Sequence, residues 1–356
     1  MAYTTINKST DYFNTKLFTG NGSTNAITGV GFQPDWVWIK ARGATTDHVL
    51  YDAVRGVTKN LHSNTNDADD TQTDGLTAFG TDGFTVGADS KSNANSGTFA
   101  SWNWRAGTGA GSSNTDGSIT STVSVNQTAG FSIVKYNGSG ANSTVGHGLN
   151  SIPSVIWIKN TQSAYEWVIG HKDLDDNGTG FSNNWYYNGI NTSKRNQNAT
   201  ASWNSTNPTN SVFSLHSGAT YSNASGQENV AYCFSERIGF SKFGLYDGNA
   251  NVDGAFLYCG FKPAYVLIKS RTLNNQQWCV FSNALNPFNE MTNTLQPSTN
   301  GAEDGNTTYN DIDMLSNGFK IREDNDNINA TGQSYIFMAF AEAPLVGSNN
   351  VPATAR

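Results

Sequence analysis

Gly31-Phe-Gln-Pro34-Asp-Trp36-Val-Trp38-Ile-Lys40 recurs twice in the chain, as Leu149-Asn-Ser-Ile-Pro153-Ser-Val-Ile-Trp157-Ile-Lys159 and as Gly260-Phe-Lys-Pro263-Ala-Tyr265-Val-Leu-Ile-Lys269. Each copy reads as a turn, a proline and an apolar strand closed by lysine. Repetition of this kind decides the architecture before any single residue does. It also bears on function, because a group that does chemistry once should break the pattern.

The copies extend outward in both directions. Ahead of the prolines stand Phe18-Thr-Gly20, Tyr136-Asn-Gly138 and Tyr246-Asp-Gly248, an aromatic followed two residues later by glycine, as at a strand end entering a turn. After the lysines come His48-Val-Leu-Tyr51, Glu166-Trp-Val-Ile169 and Gln277-Trp-Cys-Val-Phe281, which read as hairpin partners of the first strand. Alternating segments at 82–86, 211–215 and 317–321 suit strands with one buried face, and aromatic-rich strands at 99–104, 230–234 and 335–340 close each copy. The prolines recur about every 110–120 residues, against about 20–50 for a solenoid, so each repeat has the size of a small domain.

The expected organisation is all-β: three tandem antiparallel β-sandwiches over 1–110 (with an N-terminal arm), 128–237 and 238–345. The Gly/Ser/Thr-rich segment 111–127 reads as a linker with a short alternating stretch from Ile119 to Val125, and 346–356 as a tail. The lysines suit the exit of an apolar strand, with stem on the core and ammonium in water. No amphipathic helix of ten residues is evident, and the polar stretches 60–75 and 183–210 read as loops.

Composition narrows the partners. The chain is 14% charged and 37% hydrophobic with 36 glycines, so its surface is built largely from Asn, Ser, Thr and Gly. A net charge of −7 argues against a nucleic-acid surface. No apolar run of 18 residues suggests a membrane span, and Met1–Lys8 lacks the apolar core of a signal peptide. A surface rich in neutral polar residues suits an extracellular or particle-borne protein. Cys233, Cys259 and Cys279 are too few for a disulfide framework and read as small core residues.

Three constellations could carry chemistry. Asp173, Asp175 and Asn177, followed by Gly178, open like a calcium loop, yet Asn184 stands where the bidentate glutamate belongs. The same residues suit an Asp/Asn-Gly turn without metal. Trp185, Tyr186 and Tyr187, with Trp203 beyond, could stack on sugar rings in an Asn-rich loop, or could form a strand with one face in the core. Glu166 and Glu236 are the nominees for a carboxylate pair in glycoside hydrolysis, although both sit where solvated charges normally stand. No serine near the five histidines lies in a nucleophile elbow.

The opening Tyr3-Thr-Thr-Ile-Asn-Lys-Ser-Thr-Asp-Tyr-Phe-Asn14, the signature Gly29–Lys40, Asp52-Ala-Val-Arg-Gly56 and the close Tyr335–Pro344 resemble a family of marine bacteriophage virion or tail proteins, cyanophage-like and pelagic phage-like. The resemblance implies a particle component built from jelly-roll or concanavalin-like sandwiches, and carries over no catalytic or metal residue. The expectation is therefore a non-enzymatic virion protein on the particle surface, as a tail-fibre, receptor-binding or capsid-decorating subunit. It would be a homo-oligomer, a trimer by analogy with fibres, contacting other virion proteins and host glycans but neither nucleic acid nor membrane. The alternatives are a carbohydrate-binding lectin module and a glycan depolymerase. The expected cofactor is none, with calcium as the alternative.

Overall fold

The protein is seen in a computed structural model that describes residues 4–107, 109–175, 179–183, 185–190, 192, 197–198, 202–305 and 311–346. Unit 1 contains β1 (Phe13–Thr19), β2 (Asn25–Thr28), β3 (Trp36–Ala41), β4 (Val49–Asp52), β5 (Lys59–Asn60), β6 (Asp70–Thr71), β7 (Leu76–Gly80), β8 (Gly83–Val86) and β9 (Thr98–Trp104). Unit 2 contains β10 (Ser112–Asn114), β11 (Ser121–Asn126), β12 (Phe131–Asn137), β13 (Ser143–Gly146), β14 (Val155–Asn160), β15 (Val168–His171), β16 (Trp185–Asn188), β17 (Gln197–Asn198), β18 (Val212–Leu215) and β19 (Glu228–Phe234). Unit 3 contains β20 (Ser241–Asp247), β21 (Phe256–Tyr258), β22 (Phe261–Ser270), β23 (Cys279–Ser282), β24 (Ile312–Leu315), β25 (Gly318–Ile321) and β26 (Ser334–Pro344). The chain is all-β, and its ladders are antiparallel.

Each unit has a large and a small sheet. The orders are β1-β9-β3-β4 over β2-β8-β7, β10-β11-β12-β19-β14-β15-β16-β17 over β13-β18, and β20-β26-β22-β23 over β21-β25-β24. Between the two sheets of unit 1 lie Val37 and Ile39 of β3 against Leu76, Phe84 and Val86. In unit 2, Ile156 and Ile158 meet Val145, Phe213 and Leu215 in the same way.

The aromatic-x-Gly turns have a steric cause. A Cβ on Gly20, Gly138 or Gly248 would lie 2.2, 2.4 or 2.4 Å from the carbonyl oxygen of Ala94, Ala224 or Ala330. Those alanines each follow a buried asparagine. Asn93, Asn223 and Asn329 accept the amides of Asn21, Ser139 and Asn249 at 3.0, 2.9 and 3.0 Å, and their own Nδ2 groups donate to nearby carbonyls. One asparagine thus ties the turn to the segment that leads into the closing strand, three times over.

The other face of each large sheet does not meet water. Trp36, Trp38, Trp102 and Trp104 of unit 1 pack against Phe131, Trp157, Tyr232 and Phe234 of unit 2 and against Tyr265 and Phe340 of unit 3, in one continuous core. Trp36 stacks on Tyr232 with ring centroids 4.4 Å apart, Trp104 meets Phe340 at 5.7 Å, and Phe234 meets Phe340 at 6.0 Å. The Pro-to-Lys strands are therefore buried on both faces.

Around this centre each unit docks onto the next. Unit 1 gives the Asp69 amide to the Thr161 carbonyl at 2.9 Å and accepts the Trp167 indole on the His62 carbonyl at 3.0 Å. Unit 2 gives the Tyr187 hydroxyl to the Ser270 carbonyl at 3.0 Å and sets that ring 4.9 Å from Trp278. Unit 3 returns to unit 1, where Glu303 receives both arms of the Arg42 guanidinium at 2.5 and 2.9 Å and the Gln296 carbonyl lies 3.2 Å from His48 Nε2. His48, Trp167 and Trp278 hold equivalent places, so the ring closes with a pseudo-threefold repeat.

Two expectations are corrected. The units are not independent: units 1 and 2 keep inter-sheet cores of their own, but the large sheets of all three converge on a common one. Residues 111–127 are not a free linker: β10 and β11 lie within them and extend the second sheet, with Ser121–Asn126 paired along Phe131–Tyr136. The N-terminal arm is also fixed, with Ile6 in the central core and the Thr4 hydroxyl on the Ile238 carbonyl at 2.6 Å. Calorimetry should show one cooperative transition for the whole chain. Trp36→Ala should lower its unfolding free energy by about 3–5 kcal/mol, and an excised 238–345 fragment should fail to give a dispersed NMR spectrum.

Candidate functional site

The residues nominated from sequence are placed as follows. Tyr187 and Trp203 are each 1% exposed and Tyr186 is also buried, while Trp185 is half-buried against the core. Tyr187 and Trp203 give their polar atoms to the Ser270 and Trp185 carbonyls. A stacking platform needs open ring faces. This run is instead a strand in which Tyr187 holds unit 2 to unit 3 while Tyr186 and Trp203 pack in the core of unit 2, so the four do not form one open stacking platform.

Asn177 lies outside the described residues. The Asp175 carboxylate accepts the Thr179 amide at 2.7 Å, the Thr179 hydroxyl at 2.5 Å and Asn183 Nδ2 at 2.6 Å, the bonding of a closed turn. Asp173 meets Lys172 Nζ at 2.6 Å. Among the described residues no group of three His, Cys, Asp or Glu side chains could hold a metal ion.

Glu166 and Glu236 do not converge on one cleft. The Glu236 carboxylate accepts the Phe243 amide at 2.9 Å and faces Lys242 at 3.3 Å and Lys172 at 3.9 Å. Glu166 precedes β15 at its opposite end, roughly 15–20 Å away at about 3.3 Å per extended residue. A glycosidase pair stands no more than about 9.5 Å apart. The three cysteines are free and buried, as small core residues should be.

The lysines are where the sequence reading fails most instructively. Lys40, Lys159 and Lys269 are all 0% exposed, so their ammonium groups are not in water. Alternation along the strand puts each on the central face with Trp38, Trp157 and Leu267, not at an exit. Lys40 Nζ donates to the carbonyls of Ala41 and Ala44, Lys159 to those of Asn66, Asn160 and Tyr165, and Lys269 to that of Gln276. Burial lowers Lys40 and Lys159 to about 8, and Lys269 to about 7. Each ammonium ties the strand to the loop that follows it, and Lys159 also reaches the loop from unit 1.

A second buried charge joins units 1 and 2. In the Asp52-Ala-Val-Arg-Gly56 segment, Asp52 accepts Arg55 Nε at 2.5 Å, the Arg55 and Val54 amides, and the Tyr232 hydroxyl at 2.8 Å. Burial opposes the Arg55 charge, but Asp52 beside it raises the guanidinium above its usual value. The pair is a structural clamp, completely enclosed.

Openings to solvent lie elsewhere. One cleft of about 370 Å³ in unit 2 is lined by Val168, Tyr186, Ser202, Thr220 and Tyr221. Another, of about 420 Å³, lies between β20 and β21 of unit 3, below Lys172 and Asp173. Neither was foreseen, because each is made by residues far apart in sequence.

The fold and these openings define an all-β protein of three antiparallel two-layer units closed around one aromatic centre. A family model described as a domain of unknown function, DUF7483, matches residues 8–344, and the chain belongs to that family. A single model spanning all three units agrees with their common core. No curated protein and no solved structure matches the chain.

The buried lysines set a pH dependence. Their folded pKa values lie below the usual 10.5, so between about 8 and 10.5 the unfolded chain binds more protons and stability rises with pH. The denaturation midpoint should therefore climb between about pH 8 and 9. Above that, the buried thiols of Cys233, Cys259 and Cys279, raised by burial from their usual 9.0, begin to oppose the rise. Lys159→Met should flatten the climb and, by stranding buried carbonyls, cost about 1–3 kcal/mol at pH 7.

Proposed function

We propose that the chain is a non-enzymatic structural protein of a bacteriophage particle, exposed at the surface as a tail-fibre, receptor-binding or capsid-decorating subunit. The observation that carries this reading is the closed ring of three units around a shared core. Such a body obtains from one chain the three-sided outline that fibres build from three, with its heterologous contacts satisfied internally. A surface of Asn, Ser, Thr and Gly, in a chain only 14% charged, suits exposure on a particle. The two facing sheets of each unit are the part of a jelly-roll or concanavalin-like sandwich that this proposal retains. Its partners are other virion proteins and, at the host, surface glycans.

In this reading the internal ring takes the place of the homotrimer expected from sequence. Sedimentation at micromolar concentration should give a 38.3 kDa species, and one three times heavier would restore the trimer. Gold-labelled antibody against the chain should decorate purified particles. Particles in which an immunoblot finds none of it would overturn the proposal.

A lectin role is favoured by one observation, the unit 2 cleft with Tyr186 and Tyr221 in its wall and Ser202 and Thr220 beside them. Aromatic faces next to hydroxyls are what a sugar ring requires. Hits on a glycan array that vanish in Tyr221→Ala would support it, and an array without hits would remove it.

A further inference from the structure

The ladders match the three units position by position. Ile27 faces Phe84, Val145 faces Phe213 and Leu257 faces Phe319, so β2, β13 and β21 correspond. Lys16 faces Ser101, Val134 faces Ala231 and Gly244 faces Phe337, so β1, β12 and β20 correspond. These two strands border one open side of each sandwich, and there the units differ.

In unit 2 that side is filled by an extended segment. β11 pairs with β12 along its length, Ile119 bridges to Val145, Val123 enters the core between the sheets, and the Ser121 hydroxyl donates to the Gly146 carbonyl at 2.9 Å. Among the described residues unit 3 has no such strand: β20 pairs only with β26, and β21 only with β25. In unit 1 the outward positions on β2 are Ala26 and Thr28, and in unit 2 those on β13 are Thr144 and Gly146. In unit 3 they are Phe256 and Tyr258, 46% and 55% exposed.

The groove between β20 and β21 is also shaped by a missing side chain. Gly244 stands where the other units carry Lys16 and Val134, and a Cβ there would lie 2.8 Å from the Phe337 ring. That ring lines the cavity of about 420 Å³, together with Lys242, Leu245, Phe256 and Tyr258. Toward one end of β20 the Ser241 and Phe243 amides are already taken by the Arg237 carbonyl and the Glu236 carboxylate. From Gly244 to Asp247 the outer edge has no ladder among the described residues.

We propose that this side of unit 3 accepts an extended β segment of another protein, which pairs with β20 and lays alternate apolar residues on Phe256, Tyr258 and Phe337. The molecule itself supplies the template, because the equivalent side of unit 2 is closed by a strand with β-branched residues at Ile119, Val123 and Val125. Strand addition of this kind takes affinity from main-chain hydrogen bonds and specificity from alternate side chains. An unpaired edge beside exposed aromatics is otherwise a liability that proteins cover or charge. The inference does not depend on a virion location.

The test is a fluorescently labelled peptide with the sequence of residues 117–127, titrated into the full chain and read by anisotropy. Saturable binding is expected, at least tenfold weaker in the double variant Phe256→Ser/Tyr258→Ser and unchanged in Ile152→Ser, an exposed residue elsewhere. All three positions are exposed, and circular dichroism should confirm an intact fold in each variant. No binding, or binding indifferent to the double variant, overturns the proposal. So does a glycan-array hit that the double variant abolishes when the peptide does not bind, since the groove would then belong to a sugar.

Discussion

Everything in this structure depends on the convergence of three inward sheet faces on one aromatic core. Trp36 is its keystone: it stacks on Tyr232 at 4.4 Å and lies within 6.0 Å of Trp104, Trp157 and Phe234. Large rings suit such a centre because each covers much apolar area with few rotatable bonds. The indole N–H groups of Trp36, Trp102, Trp104 and Trp157 find no acceptor among the described residues. Leaving those donors unpaired opposes folding, so packing rather than hydrogen bonding must hold the centre together.

Two sets of buried polar side chains, repeated in all three units, bind backbone at places where one segment must be tied to another. Lys40, Lys159 and Lys269 end the three central strands and bind carbonyls of the following loops. Asn93, Asn223 and Asn329 do the same for the turns on the other side of each unit. A donor-only ammonium suits a cluster of carbonyls, and an amide suits a turn that offers both an N–H and a C=O. Repetition of both devices in all three units marks them as parts of the frame.

Much of that frame was legible in the sequence. Strand positions followed from alternation, the turns from aromatic-x-Gly, and the unit length from the recurring proline. The shared centre was also written there, in a form easily misread. An antiparallel sheet with one wet face alternates apolar and polar residues, whereas Trp36-Val-Trp-Ile39, Val155-Ile-Trp-Ile158 and Tyr265-Val-Leu-Ile268 do not alternate at all. Runs apolar on both faces require cover on both faces, which a chain of separate sandwiches cannot give. The lysine that closes each run then falls inside, by simple parity. The Asn-Ala pairs at 93, 223 and 329 were equally readable as a recurring motif, but their partners lie about 70–85 residues away and no local pattern points to them.

What sequence could not reveal is where the three units stop being alike, because the differences act through edges rather than motifs. A strand inserted before unit 2 closes a side that unit 3 leaves open, and the exposed pair on β21 has meaning only beside that comparison. Within the long polar stretch of unit 2, which looked like the place for binding, Tyr187 turns inward onto Trp278 and Lys269. A closed ring uses its loops to join neighbours. The side of unit 3 bordered by β20 and β21 is not used in this way, and it keeps Phe256 and Tyr258 exposed.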